Sequence, residues 1–410
     1  MTGSRAVIGA AAIAVALLGG CTGTERSGTA ATTPAGASGS APGSARPGDT
    51  AGGRATPATT GRATGPSTPS AGPAPVHGSV RVVRTVADGI NVPWGLARLG
   101  EDELLVNSRD SRTITRVDIA TGREARAGEI TQARSNGTRG GEGGLLGLAV
   151  SPDFTRNHVL YVYYSTDRDN RIARVTLDRD AQPGQQLRDL QVIVDGIPHG
   201  LHHNGGRMAF GPDGMLYVTT GEAGDPELSQ DRSSLGGKIL RMTTSGAPAP
   251  GNPDPRSLVW SYGHRNVQGL AWDPAGRLWA SEFGERTADE LNLIVKDHNY
   301  GWPDTQGRTD NPDYTSPVAQ WGTEVDSPSG IAYAGGAIWM AALRGERLWR
   351  IPLDGTRTAG PPEDFLNGRH GRLRSVLALD DHTLLVTTSN TDGRGAPDRS
   401  DDRILELAVR

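Results

Sequence analysis

Six copies of one short pattern constrain this chain more than any other feature. Each copy is an apolar residue followed by alanine, then a turn that often carries Pro, Asp or Gly, then an apolar run. The copies begin at Leu96, Leu148, Met208, Leu270, Ile331 and Leu377, and their alanines are Ala97, Ala149, Ala209, Ala271, Ala332 and Ala378. Successive copies lie 46 to 62 residues apart. In the third copy, "MAFGPDGMLYVTTGE", Asp and Gly tolerate turn dihedrals, so the flanking apolar runs read as a hairpin. Further strand-like runs, such as Arg171–Leu177 and Arg347–Leu353, fill the intervals. Six repeats, each long enough for four short strands, predict an all-β fold, a six-bladed β-propeller of four-stranded antiparallel blades. Radial repetition leaves few open sheet edges. Two β-sandwiches end to end are the alternative. In a propeller, the last strand, within Asp402–Val409, is expected to close the ring by pairing near Val80–Val86.

The N-terminus has a different character. Arg5 precedes an apolar stretch, Ala6 to Leu18, too short to span a bilayer core of roughly 30 Å. It ends in Leu18-Gly19-Gly20-Cys21, which resembles a bacterial lipobox and implies cleavage before Cys21 and acylation of its thiol. An ordinary signal peptide with an incidental cysteine is the alternative. From Thr22 to Pro75 there is no Val, Leu, Ile, Met, Phe, Tyr or Trp. Such a segment buries too little apolar surface to offset its ordering entropy, so residues 22–78 read as a disordered tether and 79–410 as the propeller. The expected location is the outer face of the cell membrane, with the lipid anchor as the membrane contact. Cys21 is the one cysteine, so a core rather than disulfides must stabilise the exported domain. A net charge of −4 argues against a dedicated nucleic-acid binder.

Polar residues recur just ahead of the repeats. The third is preceded by His203-x-Gly205-Gly206-Arg207, the fourth by His264-Arg265-Asn266, the sixth by Arg372 and Arg374, and the second by Glu142 among glycines. In a propeller these entrances converge at one mouth of the central channel. Three arginines and a histidine there would form an electropositive pocket suited to a small polyanion. His199, His202 and His203 also suggest a metal site, but they sit in a glycine-flanked loop without a nearby carboxylate or thiolate. The long insertion Ser281–Asp310 suits a hard cation better. It carries Glu285, Asp289, Glu290, Asp304 and Asp310, with a turn at Gly284 that could offer its carbonyl.

The stretches "HNGGRMAFGPDGMLYVTTGE", "SYGHRNVQGLAWDP", "DELNLIVKDHNYGWP" and "GRLRSVLALDDHTLLVTTSNTDGRG" resemble the soluble PQQ-dependent sugar dehydrogenases, the glucose/sorbosone dehydrogenase family, aldose sugar dehydrogenases included. The resemblance runs from about Val80 to Val409. It implies a six-bladed propeller that oxidises the anomeric hydroxyl of a sugar by hydride transfer to PQQ. His203 then matches the catalytic base, a task suited to imidazole because it titrates near neutral pH. Arg265 matches the group that polarises the accepting quinone carbonyl. Glu142, Asn266, Arg344, Arg372 and Arg374 match cofactor contacts, with Arg372 and Arg374 alternating on one strand face toward the PQQ carboxylates. Gly284 and Glu285 match carbonyl donors to a Ca2+ that bridges PQQ, and Glu290, Tyr300 and Asp310 match ligands of a second, structural Ca2+.

Three positions depart from the glucose dehydrogenase branch. Glu142 stands for glutamine, Leu343 or Arg344 for a cofactor-binding lysine, and His202 for an acidic neighbour of the base. The first two bear on cofactor affinity, the third on the choice of sugar. Two other functions suit a propeller of this size. A calcium-dependent lactonase would need carboxylate and Asn ligands converging from several blades, and a non-catalytic surface binding protein would need neither base nor quinone.

Overall fold

The computed structural model describes residues 73–410, so the expected signal peptide, the acylation site at Cys21 and most of the tether lie outside the described residues. The rest is a ring of six antiparallel sheets. Blade one comprises Pro93–Arg98, Glu103–Ser108, Thr113–Asp118 and Glu124–Glu129. Blade two follows as Leu145–Val150, Val159–Ser165, Asn170–Leu177 and Leu187–Ile197, and blade three as Met208–Phe210, Leu216–Thr219, Lys238–Met242 and Val259–Tyr262. Blade four is Val267–Trp272, Leu278–Glu282, Asp289–Ile294 and Ala319–Trp321. Blade five is Pro328–Ala334, Ala337–Ala342 and Arg347–Asp354, with its outer strand split into Arg357–Thr358 and Glu363–Phe365. Blade six is Leu373–Asp380, Thr383–Thr388 and Ile404–Val409, and its outer strand comes from the other end of the domain, Val80–Ala87. The expected closure is therefore present, with Val80 opposite Val409 and Val82 opposite Leu407.

Each repeat alanine lies on the innermost strand of its blade. In four blades a glycine stands two residues earlier, at Gly95, Gly147, Gly269 and Gly330. The backbones crowd there: a Cβ on Gly147 would sit 2.1 Å from the Gly206 carbonyl oxygen. Blade three carries Arg207 at the same register. The hairpin turns work as their residues predict. Gly214 adopts φ 74°, the Asp213 carboxylate accepts the Met215 N–H at 3.0 Å, and its other oxygen meets Arg241 at 2.8 Å.

The core is not one body but six, each between neighbouring blades. Tyr163 and Ile172 of blade two pack with Leu216 and Leu240 of blade three, and Trp279 of blade four with Ile338 and Met340 of blade five. The last interface joins Leu385 and Ile404 of blade six to Leu104 and Val106 of blade one. Blades one and six bury both faces only when the ring is closed. The chain ahead of the first strand also packs on the propeller. Ala74 is buried and donates to the Leu353 carbonyl at 3.0 Å, and Arg350 holds the carbonyls of Pro75 (2.7 Å) and Val76 (3.2 Å). Residues 74–78, placed in the tether on composition, are thus tied to blade five, since main-chain hydrogen bonds need no apolar side chains. Among the described residues, no helix is long and apolar enough to cross a membrane.

Leu407 is fully buried on the closing strand. Leu407→Ala is expected to cost about 2–5 kcal/mol, read as a lower midpoint in chemical denaturation.

Candidate active site

Residues just before the first strand of a blade and just after its second share one end of the ring, because those strands run antiparallel. At that end they line a cavity of about 290 Å³, near the lower limit of small-ligand sites, roughly 300 Å³. Its walls include Glu142, Arg344, Arg372 and Arg374, expected from sequence, together with Trp94, Arg109, Gln268, Leu343 and Arg394.

Two histidine–glutamate pairs occupy equivalent places in adjacent blades. His203 precedes blade three and its Nδ1 lies 2.6 Å from Glu222, which follows the second strand. His264 precedes blade four and its Nδ1 lies 2.8 Å from Glu282. They differ in what remains free. His264 is fully buried, its Nε2 is bonded to Ser261 at 2.9 Å, and its ring stacks on Tyr300 at 4.5 Å, so it is a structural residue. The His203 side chain keeps 21% of its surface exposed, and its Nε2 has no bond among the described residues. A carboxylate at Nδ1 accepts a hydrogen bond from Nδ1–H, which keeps the proton on that nitrogen and leaves the lone pair on Nε2.

The loop around His203 is closely held. His203 has φ 56°, a left-handed conformation that non-glycine residues adopt only when the surroundings enforce it. Its N–H donates to Glu142 Oε2 at 3.0 Å, and its carbonyl accepts the Ala223 N–H at 3.0 Å. Asn266, fully inside, accepts the Gly205 N–H through Oδ1 at 3.0 Å, so its oxygen is engaged by the loop. Arg265 is tied at its N–H to Glu282 (2.6 Å), its guanidinium lies 5.4 Å from the Trp302 ring centre, and its buried Nε lacks a partner among the described residues. Burial pushes that guanidinium down from its ordinary pKa. His202 stays half exposed beside His203, with ring centres 6.3 Å apart. Among the described residues, no three His, Cys, Asp or Glu side chains cluster as a metal site.

The cavity carries surplus positive charge. Arg372 donates twice to Asp392 Oδ2, at 3.0 and 2.9 Å, and Arg374 approaches the same oxygen at 3.6 Å. One carboxylate thus serves two guanidiniums. Burial would raise the Asp392 carboxyl, but Arg372 and Arg374 bring it below the usual range. Burial pushes Arg374 down to about 10. Arg207 has no carboxylate partner: it donates to the Gln268 carbonyl at 2.8 Å and lies over the Trp94 ring at 4.4 Å. Burial and then Arg374 push it down to about 9, still charged at neutral pH. Arg344 is half exposed, 3.6 Å from Glu324, while Leu343 is buried, so of the two only Arg344 brings charge to this wall. Burial would raise Glu142, but Arg394 at 3.0 Å and the His203 N–H hold it low, which makes a carboxylate tolerable at that position.

Blade four and its link to blade five hold partly uncompensated acids. Asp289 accepts N–H groups from Gly284 (2.8 Å) and Ser327 (2.7 Å), and burial still pushes it up to about 6. Asp326 is fully buried, one of its oxygens lacks a partner among the described residues, and burial raises it well above the carboxylate range. Glu290 accepts from Asn292 (3.0 Å) and the Gly307 N–H (2.6 Å), and burial, with Glu282 nearby, raises it too. This chemistry fits a cation that takes its remaining oxygens from main-chain carbonyls. Glu285 donates its N–H to Gln306 at 3.0 Å. The other expected ligands are placed differently: the Tyr300 hydroxyl donates to the Leu293 carbonyl at 2.7 Å, and Asp310 is exposed.

A sequence model of glucose/sorbosone dehydrogenases matches residues 90–397. The chain belongs to the glucose/sorbosone dehydrogenase family. Among solved structures, it is similar to the PQQ-bound form of the aldose sugar dehydrogenase of Streptomyces coelicolor, with 57% identity and a TM-score of 0.80 over 82% of this chain and 100% of that one. The aldose sugar dehydrogenase of Escherichia coli is 29% identical over 76% of this chain and 91% of its own. Quinoprotein glucose dehydrogenase B of Acinetobacter calcoaceticus is 30% identical over 56% and 54%.

Sequence patterning did not single out Glu222, Asp392, Arg394 or Asp326 in this family member. Glu222 carries a usable signal, because it and Glu282 close equivalent strands behind equivalent histidines. Asp392 and Arg394 lie in a loop without a repeat counterpart. Asp392→Ala leaves two buried guanidiniums without their shared carboxylate, and the expected loss is about 3–5 kcal/mol, measured by chemical denaturation.

Proposed function

We propose that this family member is a quinoprotein sugar dehydrogenase that oxidises the anomeric hydroxyl of an aldose, with His203 as general base. The supporting observation is the His203–Glu222 pair, with the His203 N–H held by Glu142 in the wall of an arginine-lined cavity. Glu222 holds Nδ1, so Nε2 can take the hydroxyl proton, and the buried carboxylate favours the imidazolium that results. Two guanidiniums, Arg372 and Arg374, against the one Asp392 carboxylate leave surplus charge that fits an anionic cofactor, and PQQ bound there would supply the hydride acceptor. Arg372 and Arg374 would hold its carboxylates. Arg265, with its unpartnered Nε, would face the quinone carbonyl where negative charge develops. Ca2+ would be held near Gly284, Glu285, Asp289 and Asp326, where it would offset the burial that raises both carboxyls. A lactonase would require a carboxylate-lined channel, whereas five arginines and one carboxylate line this cavity. In the cell, the proposed setting is the outer membrane face, with the domain tethered through Cys21.

The test is absorbance titration of the cofactor-free protein with PQQ and Ca2+, then dye reduction with a panel of aldoses. Saturable quinone uptake and sugar-dependent turnover are expected, and no uptake would overturn the cofactor assignment. His203→Ala is expected to lower kcat by roughly 10²–10⁴-fold, and full turnover in that variant would remove the base. Saturating Ca2+ is expected to raise the thermal midpoint, by about 2.7 kcal/mol of stability at 100 times Kd, and Asp326→Asn to abolish most of that gain.

A further inference from the structure

Arg394 sits in the loop between Thr383–Thr388 and Ile404–Val409 of blade six. The base of that loop is pinned. Asp392 is held by Arg372, and Asp402 accepts the N–H groups of Asn390 (2.5 Å) and Thr391 (3.2 Å). From there Arg394 crosses to the entrance of blade two, on the far side of blade one. Its Nη1 donates to Glu142 Oε1 at 3.0 Å, and its Nη2 donates to the Gly140 carbonyl at 3.2 Å and lies 3.4 Å from His202 Nδ1. Glu142 divides its oxygens. Oε1 takes Arg394, and Oε2 accepts the N–H of His203, whose left-handed backbone depends on such ties. The Arg394 contact balances the Glu142 charge and fixes Oε1, which limits the ways the carboxylate that accepts the His203 N–H can turn.

We propose that Arg394 is a positioning residue for the base: by fixing Glu142, it fixes the main chain of His203 and so the direction of its ring. The inference rests on the proposed role of His203, and it adds a link between two blades that are not neighbours. The blade-six loop is thereby coupled to the reacting end of the cavity. The loop arrives from one side, Glu142 relays the constraint, and the imidazole is held between Glu142 at its backbone and Glu222 at its ring.

Two measurements test it on the full-length protein. In cofactor-free protein with isotope-labelled histidine, the His203 ring signals are expected to shift in Arg394→Ala and to return toward wild type in Arg394→Lys. Unchanged His203 signals in Arg394→Ala would overturn the proposal, whatever the protein catalyses. In PQQ-reconstituted protein, Arg394→Ala is expected to lower kcat roughly 10- to 100-fold, with Arg394→Lys recovering most of it. In a Glu142→Ala background, the same change is expected to cost less than about twofold more. Effects that multiply independently would overturn the relay through Glu142. If Arg394→Ala folds poorly, Arg394→Gln removes the charge while keeping the side-chain stem, and it is expected to shift the same His203 ring signals; unchanged signals in that variant overturn the proposal. Wild-type protein that takes up no quinone would instead overturn the proposed function, while the histidine signals still decide the positioning.

Discussion

Everything at the channel mouth depends on the pairing of Val80–Ala87 with Ile404–Val409. Those strands lie at opposite ends of the domain sequence, and their union closes the ring. Without it, the interface of Leu385 and Ile404 with Leu104 and Val106 would be exposed, and blades one and six would each have one face uncovered. Closure also sets the geometry of the site. It brings the entrance of blade two within reach of a loop from blade six, so Arg394 can meet Glu142 across 252 positions of sequence.

The site then uses charge in two ways. Along the cavity wall, the protein buries more guanidinium than carboxylate: Asp392 is shared by Arg372 and Arg374. Buried cations of this kind carry a desolvation cost that an anionic ligand can offset. At the base, the protein does the reverse. It gives His203 a buried carboxylate at the ring and another at the backbone, which sets which nitrogen is free and where it points. Arg207 lies apart from that wall, over the Trp94 ring, at the register where four other blades have glycine.

Much of this was legible in the sequence, for a physical reason. A blade is a local object, built from hairpins whose turn residues and apolar spacing are contiguous, so six alanine-centred copies reveal six blades. The entrances of those blades also mark the mouth, and Glu142, Arg372 and Arg374 do line it. The sequence was less informative about which of two similar histidines is usable. His203 and His264 precede equivalent strands and face equivalent glutamates, and what separates them is whether Ser261 and Tyr300 close off the second nitrogen. It was least informative in the two long loops, where Asp310 proved exposed and Asp326 proved to be the buried acid with an unpartnered oxygen.

The sequence by itself determined the number of blades, the place where the ring must close and the residues standing at the channel entrance, because each follows from short-range periodicity and turn chemistry. Only the tertiary structure decided which charges are paired and which are surplus, and which imidazole nitrogen remains free. Those properties depend on distances between groups tens or hundreds of residues apart, and on burial, which exists only once the six blades pack against one another.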